Sequence, residues 1–125
     1  MRKAIDVFGD WAEKGKDRGM EKTHAIPVDE MISFALKERL DIGKNFSFLD
    51  LGCGIGWFAN LLSYNFNHVN VTGIDFNPVA IDFANKVKDE LKLKTNFIVK
   101  DLFKVKFYNK FEKYDLEKLL KPNKD

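Results

Sequence analysis

Cysteine is almost missing from this chain. Cys53 is the only one in 125 residues, so no internal disulfide forms and a reducing, cytoplasmic setting is expected. Histidine is nearly as scarce, with His24 and His68 alone. That leaves no evident metal cluster and no convincing general base. Long hydrophobic runs are lacking too: none approaches the roughly 18 residues of a membrane span. Met1-Arg2-Lys3 is followed by Asp6 and Asp10, not by the apolar core of a signal peptide. Arginine is absent after Lys86. From Lys86 to Asp125 there are twelve lysines against seven acids, +5, which leaves −3 for the rest of a chain whose net charge is +2. Because those lysines alternate with acids, they read as a solvated surface, and nucleic acid is an unlikely partner.

Aromatic and aliphatic residues are plentiful. Apolar residues make up 45%, with twelve Phe, enough for the core of one domain. The chain is organised around Phe48-Leu49-Asp50-Leu51-Gly52-Cys53-Gly54-Ile55-Gly56. It reads as a buried strand that runs into a glycine-rich turn, with a helix starting at Trp57. Such a turn lets a ligand approach the backbone and aims N–H groups and the helix's positive end at it.

Around this stretch the pattern alternates. Pro27 is expected at a first helical position, with Asp29 and Glu30 in the first turn. Val28, Met31, Ile32, Ala35, Leu36 and Leu40 continue at helical spacing, with Gly43 as cap. Strands are expected over 46–51, 70–75 and 96–101, each with an aspartate at its carboxyl end: Asp50, Asp75 and Asp101. Asn77 and Pro78 open another helix. Ahead of all this, Val7-Phe8 and Trp11-Ala12 suggest a short amphipathic helix interrupted by Gly9, Gly15 and Gly19, a mobile cap. Trp11, Met20 and His24 either line a pocket or merely dock on the core. Strand–helix alternation predicts an α/β fold, a Rossmann-like parallel sheet with helices on both faces. Ligands bind beyond the carboxyl ends of such strands, where the three aspartates fall and need donors.

The spacing separates two nucleotide classes. A dinucleotide fingerprint is G-x-G-x-x-G, whereas Gly52, Gly54 and Gly56 make G-x-G-x-G and put Trp57 at the third dinucleotide position. Phe48 to Gly56 resembles the first motif of class I S-adenosylmethionine-dependent methyltransferases. Gly73-Ile74-Asp75-Phe76-Asn77 resembles their second, and Lys100-Asp101-Leu102-Phe103 resembles the segment flanking adenine. The resemblance implies S-adenosyl-L-methionine as cofactor and a small-molecule methyl acceptor. It implies that Gly52, Gly54 and Gly56 bare the backbone, and that Asp50 orients the loop or meets the methionine ammonium. It further implies that Asp75 accepts from both ribose hydroxyls, that Phe76 packs on adenine, and that Asp101 and the Leu102 amide read its edge. Cys53 belongs to the loop as a small packing residue, not a nucleophile. The expected layout is an N-terminal cap segment over 1–26, a cofactor-binding domain over 27–110 and a divergent tail over 111–125.

The family's sheet continues past these strands, but only three are clear here, in order 3-2-1. Phe111 to Leu116 resembles the approach to a fourth strand, then Glu117 and Lys118 break the pattern. The expectation is a truncated, cofactor-binding half whose first strand becomes a sheet edge. The alternatives are an inactive cofactor-binding or interaction module that dimerises through that edge and, less well supported, half of a dinucleotide-dependent oxidoreductase.

Overall fold

The computed structural model describes residues 2–37 and 47–102. In chain order the elements are helices α1 (Ala4–Glu13), α2 (Met20–Thr23) and α3 (Ala25–Lys37), strand β1 (Ser47–Leu51), helix α4 (Trp57–Asn65), strand β2 (Asn70–Asp75), helix α5 (Pro78–Glu90) and strand β3 (Asn96–Val99). The three strands are parallel in the order β1-β2-β3, with Asp50 opposite Gly73 and Asp75 opposite Val99. This is an α/β, Rossmann-like open sheet, strand order 3-2-1 as expected. Phe46, the Leu40–Gly43 helix end and the whole 111–125 tail lie outside the described residues.

Pleating splits the strands between two apolar clusters. Phe48, Val71 and Phe97 face α4, packing with its Ala59 and Leu62. Leu49, Ile74, Ile98 and Leu102 form the cluster on the opposite face. A third cluster joins the N-terminal helices to the layer behind the sheet. Val7, Phe8 and Trp11 of α1 and Val28 and Ile32 of α3 pack with Trp57 and Leu61 of α4 and Val87 of α5. The Trp11 and Trp57 rings lie 5.2 Å apart, and Phe83 meets Trp57 edge-on at 5.6 Å. Arg18 stacks its guanidinium over the same Phe83 ring at 4.2 Å.

Several local expectations shift. Gly9 does not break α1, which runs through it; only Gly15 and Gly19, at φ +67° and +84°, lie in turns. The third helix starts at Ala25, before Pro27, and its first bond runs from Val28 N–H to the His24 carbonyl at 3.0 Å. Pro27 is tolerated there because the first turn's N–H groups have no helical partner. Asp29 is therefore past the first turn of its own helix. Its carboxylate instead accepts from the Ala4 and Ile5 N–H groups, capping α1. Asn77 caps α5 as expected, its side chain accepting from Val79 N–H at 3.0 Å with Pro78 next in line. β3 stops at Val99, so Asp101 stands two residues past the strand.

A buried polar seam also joins α4 to the start of β3. Asn60, fully buried, donates to the Ala84 carbonyl at 3.2 Å. The Thr95 hydroxyl donates to Asn60 Oδ1 and shares a bond with Ser63 Oγ, both at 2.8 Å. The seam holds the two helices behind the glycine turn in register, and every polar atom named in it is paired.

Candidate functional site

The turn from β1 into α4 puts Gly52, Gly54 and Gly56 at φ +72°, +56° and +79°, a conformation that side chains resist. The three glycines do different jobs. A Cβ at Gly52 or Gly54 would meet nothing within 4 Å: these two leave backbone bare toward open space. A Cβ at Gly56 would sit 2.7 Å from Ala84 Cβ and from the Phe97 ring. Gly56 is thus a packing glycine that seats α4 against α5 and β3. It performs the contact that the third glycine of a dinucleotide fingerprint makes, one position earlier. Trp57 is accommodated because its indole packs into the aromatic cluster with Phe8, Trp11 and Phe83.

The turn's N–H groups are spent internally. Gly52 and Cys53 both donate to the Ile74 carbonyl, at 2.8 and 2.9 Å, and Gly56 donates to the Cys53 carbonyl at 3.0 Å. Gly54 N–H donates to Asp75 Oδ2 at 2.9 Å. The expected row of free amides is not present at these four positions. A pyrophosphate needs such amides; a cation does not.

Asp75 ends β2 and is buried. Its other oxygen accepts from Asn77 N–H at 2.9 Å, so one carboxylate ties the glycine turn to the start of α5. Orienting the loop, a role open to Asp50, belongs to Asp75. Each Asp75 oxygen keeps acceptor capacity beyond the one bond it makes. Asp50, half-buried, accepts no hydrogen bond from any described residue. Burial first, and the neighbouring Asp75 charge second, push its carboxyl above the ordinary value. Cys53 is half-buried, and burial, Asp50 and Asp75 push its thiol up to about 12. It is no thiolate at neutral pH, in line with a packing role.

A cavity of about 270 Å³ opens beside the turn. Asp50 and Gly52 to Ile55 form one side; Phe8, Met20, His24 and Val28 form the other. Met20 and His24 thus line this cavity, one of the two arrangements the sequence left open. Trp11 does not: it is 2% exposed, locked among Phe8, Trp57 and Tyr64. Phe8, three residues earlier on the same helix, takes the place at the cavity. Choosing between them needs the helix's roll against α3, which spacing does not give. Two larger hollows, about 490 and 350 Å³, lie at Arg2 to Glu21 and at Ser63 to Lys94, away from the turn.

Asp75, Phe76, Asp101 and Leu102 do not line this cavity; they stand at the carboxyl ends of β2 and β3. Phe76 is 70% exposed and Val79 73%, an apolar surface directly after Asp75. Lys100 N–H donates to the Asp75 carbonyl at 2.8 Å, which brings Asp101 alongside, and Leu102 packs onto Ile74 and Ile98. His68 is exposed beside Phe66, remote from the turn.

Residues 42–122 match the methyltransferase-domain family. The chain belongs to that family. It is similar to two proteins of Ilyobacter polytropus, malonyl-[acyl-carrier protein] O-methyltransferase 2 (38% identical over 78 residues, 61% of this chain and 28% of that protein) and O-methyltransferase 1 (35% over 74 residues, 58% and 26%). The chain therefore spans about a quarter of the length of the curated relatives it matches. Among solved structures it is similar to the PH0226 protein of Pyrococcus horikoshii OT3 (31% identity, TM-score 0.51, 70% of this chain and 35% of that one). It also resembles the plantazolicin methyltransferase BpumL, solved in complex with a monoazolic desmethylPZN analog and SAH (27% identity, TM-score 0.50, 86% of this chain and 43% of that one).

Asp50 carries a prediction of its own. A carboxyl whose folded pKa is raised adds stability below its unfolded value, about 3.8, and loses that contribution as pH rises through the folded pKa. At neutral pH the charged group therefore weighs against the fold. Asp50→Asn should raise the urea midpoint of the ligand-free protein at pH 7, and the gain should shrink toward pH 4. An equal gain at both values would show that charge is not the cause.

Proposed function

We propose that this chain is the S-adenosylmethionine-binding part of a methyltransferase that acts on a small molecule. The observation that carries the reading is the glycine turn: bare backbone at Gly52 and Gly54, its own amides internally paired, and two carboxylates, Asp50 and Asp75, beside it. That surrounding suits a ligand bearing cationic and hydroxyl groups and disfavours a pyrophosphate. S-Adenosylmethionine supplies, when bound, an activated methyl group on a sulfonium, a good leaving group.

The chain's own residues then divide the ligand. Gly52, Cys53 and Gly54 present the surface for its methionine end, beside Asp50. Asp75 offers its remaining lone pairs to the ribose hydroxyls while holding Gly54. Phe76 offers an exposed ring face to adenine, with Asp101 and the Leu102 amide at its edge. Gly56 supports the turn from behind. The fold's task is to fix the donor's geometry, because holding two reactants in line supplies much of the rate of a displacement. Family membership and the SAH-bound neighbour support the cofactor, and the names of the relatives support methyl transfer. The lone cysteine suits a cytoplasmic site, and no described helix is long and apolar enough to cross a membrane. The outer side of β1, which pairs only with β2 among the described residues, is where a homodimer would extend the sheet.

Isothermal calorimetry on the folded chain tests the reading. S-Adenosylmethionine and S-adenosylhomocysteine should bind and NAD should not. Binding of NAD alone, or of none of the three by well-folded protein, would overturn it.

A further inference from the structure

The hollow of about 350 Å³ between Ser63 and Lys94 lies at the other end of the sheet from the glycine turn. Val69 leads into β2 and Lys94 into β3, and both strands run away from it toward Asp75 and Val99. Its size falls within the range of ligand sites, about 300–1,000 Å³. Part of the lining is apolar: Val69, Leu91 and Leu93. The polar part is rich in donors. Lys92 and Lys94 are exposed, and neither ammonium has an ion pair or hydrogen bond among the described residues. The Asn67 amide is also without one there. The Tyr64 hydroxyl accepts from Arg2 Nη1 at 3.3 Å, and its own proton has no acceptor among the described residues. No carboxylate of a described residue lines the hollow. In the last turn of α5, Glu90 is paired with Lys16, and Asp89 forms no ion pair with either lysine.

Lys92 holds an unusual place. α5 closes with Leu93 N–H on the Lys88 carbonyl at 2.9 Å and Lys92 N–H on the Asp89 carbonyl at 3.2 Å. Those paired bonds end a helix through a left-handed residue, usually glycine. Here that residue is Lys92, at φ +56°. A helix's negative end favours a cation in its last turn, but Lys92 and Lys94 both lie beyond Glu90, where α5 ends. Two positive charges, further donors and an apolar patch make the complement of a dianion on an apolar body. We propose that this hollow binds a phosphomonoester that carries an aromatic or aliphatic group. Lys92 and Lys94 take the phosphate, and Val69, Leu91 and Leu93 take the apolar part. A phosphomonoester bears about −1.5 to −2 charges at neutral pH, which two ammonium groups balance. The site stands apart from the cofactor reading. One wall of it, Ser63, shares a bond with Thr95, so the ligand meets the polar seam behind the glycine turn.

Amide NMR shifts on the isotope-labelled full chain test this, with phenyl phosphate as the probe. It should move the amides of Tyr64, Asn67, Lys92 and Lys94 and saturate. It should bind about 10-fold more tightly than inorganic phosphate, which lacks the apolar part. Phenol, without the charge, should leave those amides still. Lys94→Gln should weaken phenyl phosphate about fivefold, the scale of an exposed ion pair, at an unchanged urea midpoint. Lys94→Arg, which keeps the charge, should bind like the parent chain. Lys92→Gly should weaken binding as much as Lys94→Gln while raising the urea midpoint, because glycine relieves the left-handed backbone. Loss of binding in a more stable protein is not a folding defect. Unchanged binding in both Lys94→Gln and Lys92→Gly would make these lysines plain solvated surface. Shifts at residues 52–54 instead, or spread over exposed lysines at large, would show that no site exists here. Tighter binding of phenylacetate than of phenyl phosphate would refute the phosphate assignment. Each of these results overturns the proposal.

Discussion

Gly56→Val is expected to cost about 2–5 kcal/mol of folding stability, the largest effect of any single change at this site. Two penalties add. The residue sits at φ +79°, where a side chain costs roughly 1–2 kcal/mol. The new Cβ would also lie 2.7 Å from Ala84 and from the Phe97 ring. Overpacking a tight contact adds typically about 1–3 kcal/mol. Neither neighbour yields easily, since Ala84 is fully buried on α5 and Phe97 packs in the sheet's core. Gly52→Ala is the control. It shares the backbone cost, at φ +72°, but its Cβ meets nothing within 4 Å. It should lose only about 1–2 kcal/mol and instead obstruct a ligand lying on the turn. Urea denaturation of both variants, with calorimetry on the second, measures the difference. If the two were equally destabilised, the division of labour among these glycines would be wrong.

Asp75→Ala is expected to act twice. It removes the acceptor for both Gly54 N–H and Asn77 N–H, each at 2.9 Å. Hydrogen bonds to a charged group contribute about 1.5–3 kcal/mol each, and the Asn77 amide lies at an exposed turn where water replaces part of the loss. A net destabilisation of about 2–4 kcal/mol follows. The second loss is to the ligand, whose ribose no longer meets a carboxylate and whose loop is no longer held; S-adenosylhomocysteine affinity should fall at least about tenfold. Asp75→Asn keeps one carbonyl oxygen and so one of the two amide bonds. It should recover about half of the stability and less of the affinity. If Asp75→Ala unfolds no more easily than the parent chain, the latch between turn and helix is not as described. If its ligand affinity is unchanged, Asp75 leaves the site.

Much of this was legible before any coordinates. Asn77 and Pro78 announce a helix start by local chemistry alone, and Asn77 indeed caps α5. Apolar runs ending in Asp50 and Asp75 mark strand ends, and the alternation with helices fixes a parallel sheet. Asp29 was not legible. Its type is right for a helix N-terminus, but the N-terminus it serves is that of α1, some twenty-five residues earlier in the chain. The three glycines look alike in sequence, and only Ala84 and Phe97, brought in from α5 and β3, single out Gly56. The role first open to Asp50 passed to Asp75 for the same kind of reason: the Gly54 amide lies within reach of the neighbouring strand's carboxylate.

The three strands, the longer helices, their order and the position of the bare turn were readable from sequence, because helical periodicity, strand patterning, caps and turn glycines act over a few residues. Packing between distant elements settled which carboxylate latches the turn and which stays without a donor among the described residues, which glycine is open and which is filled, and that Phe8 rather than Trp11 lines the cavity. Each of those depends on distances between groups twenty or more residues apart, set by how helices roll and stack on the sheet, and no local pattern encodes such a distance.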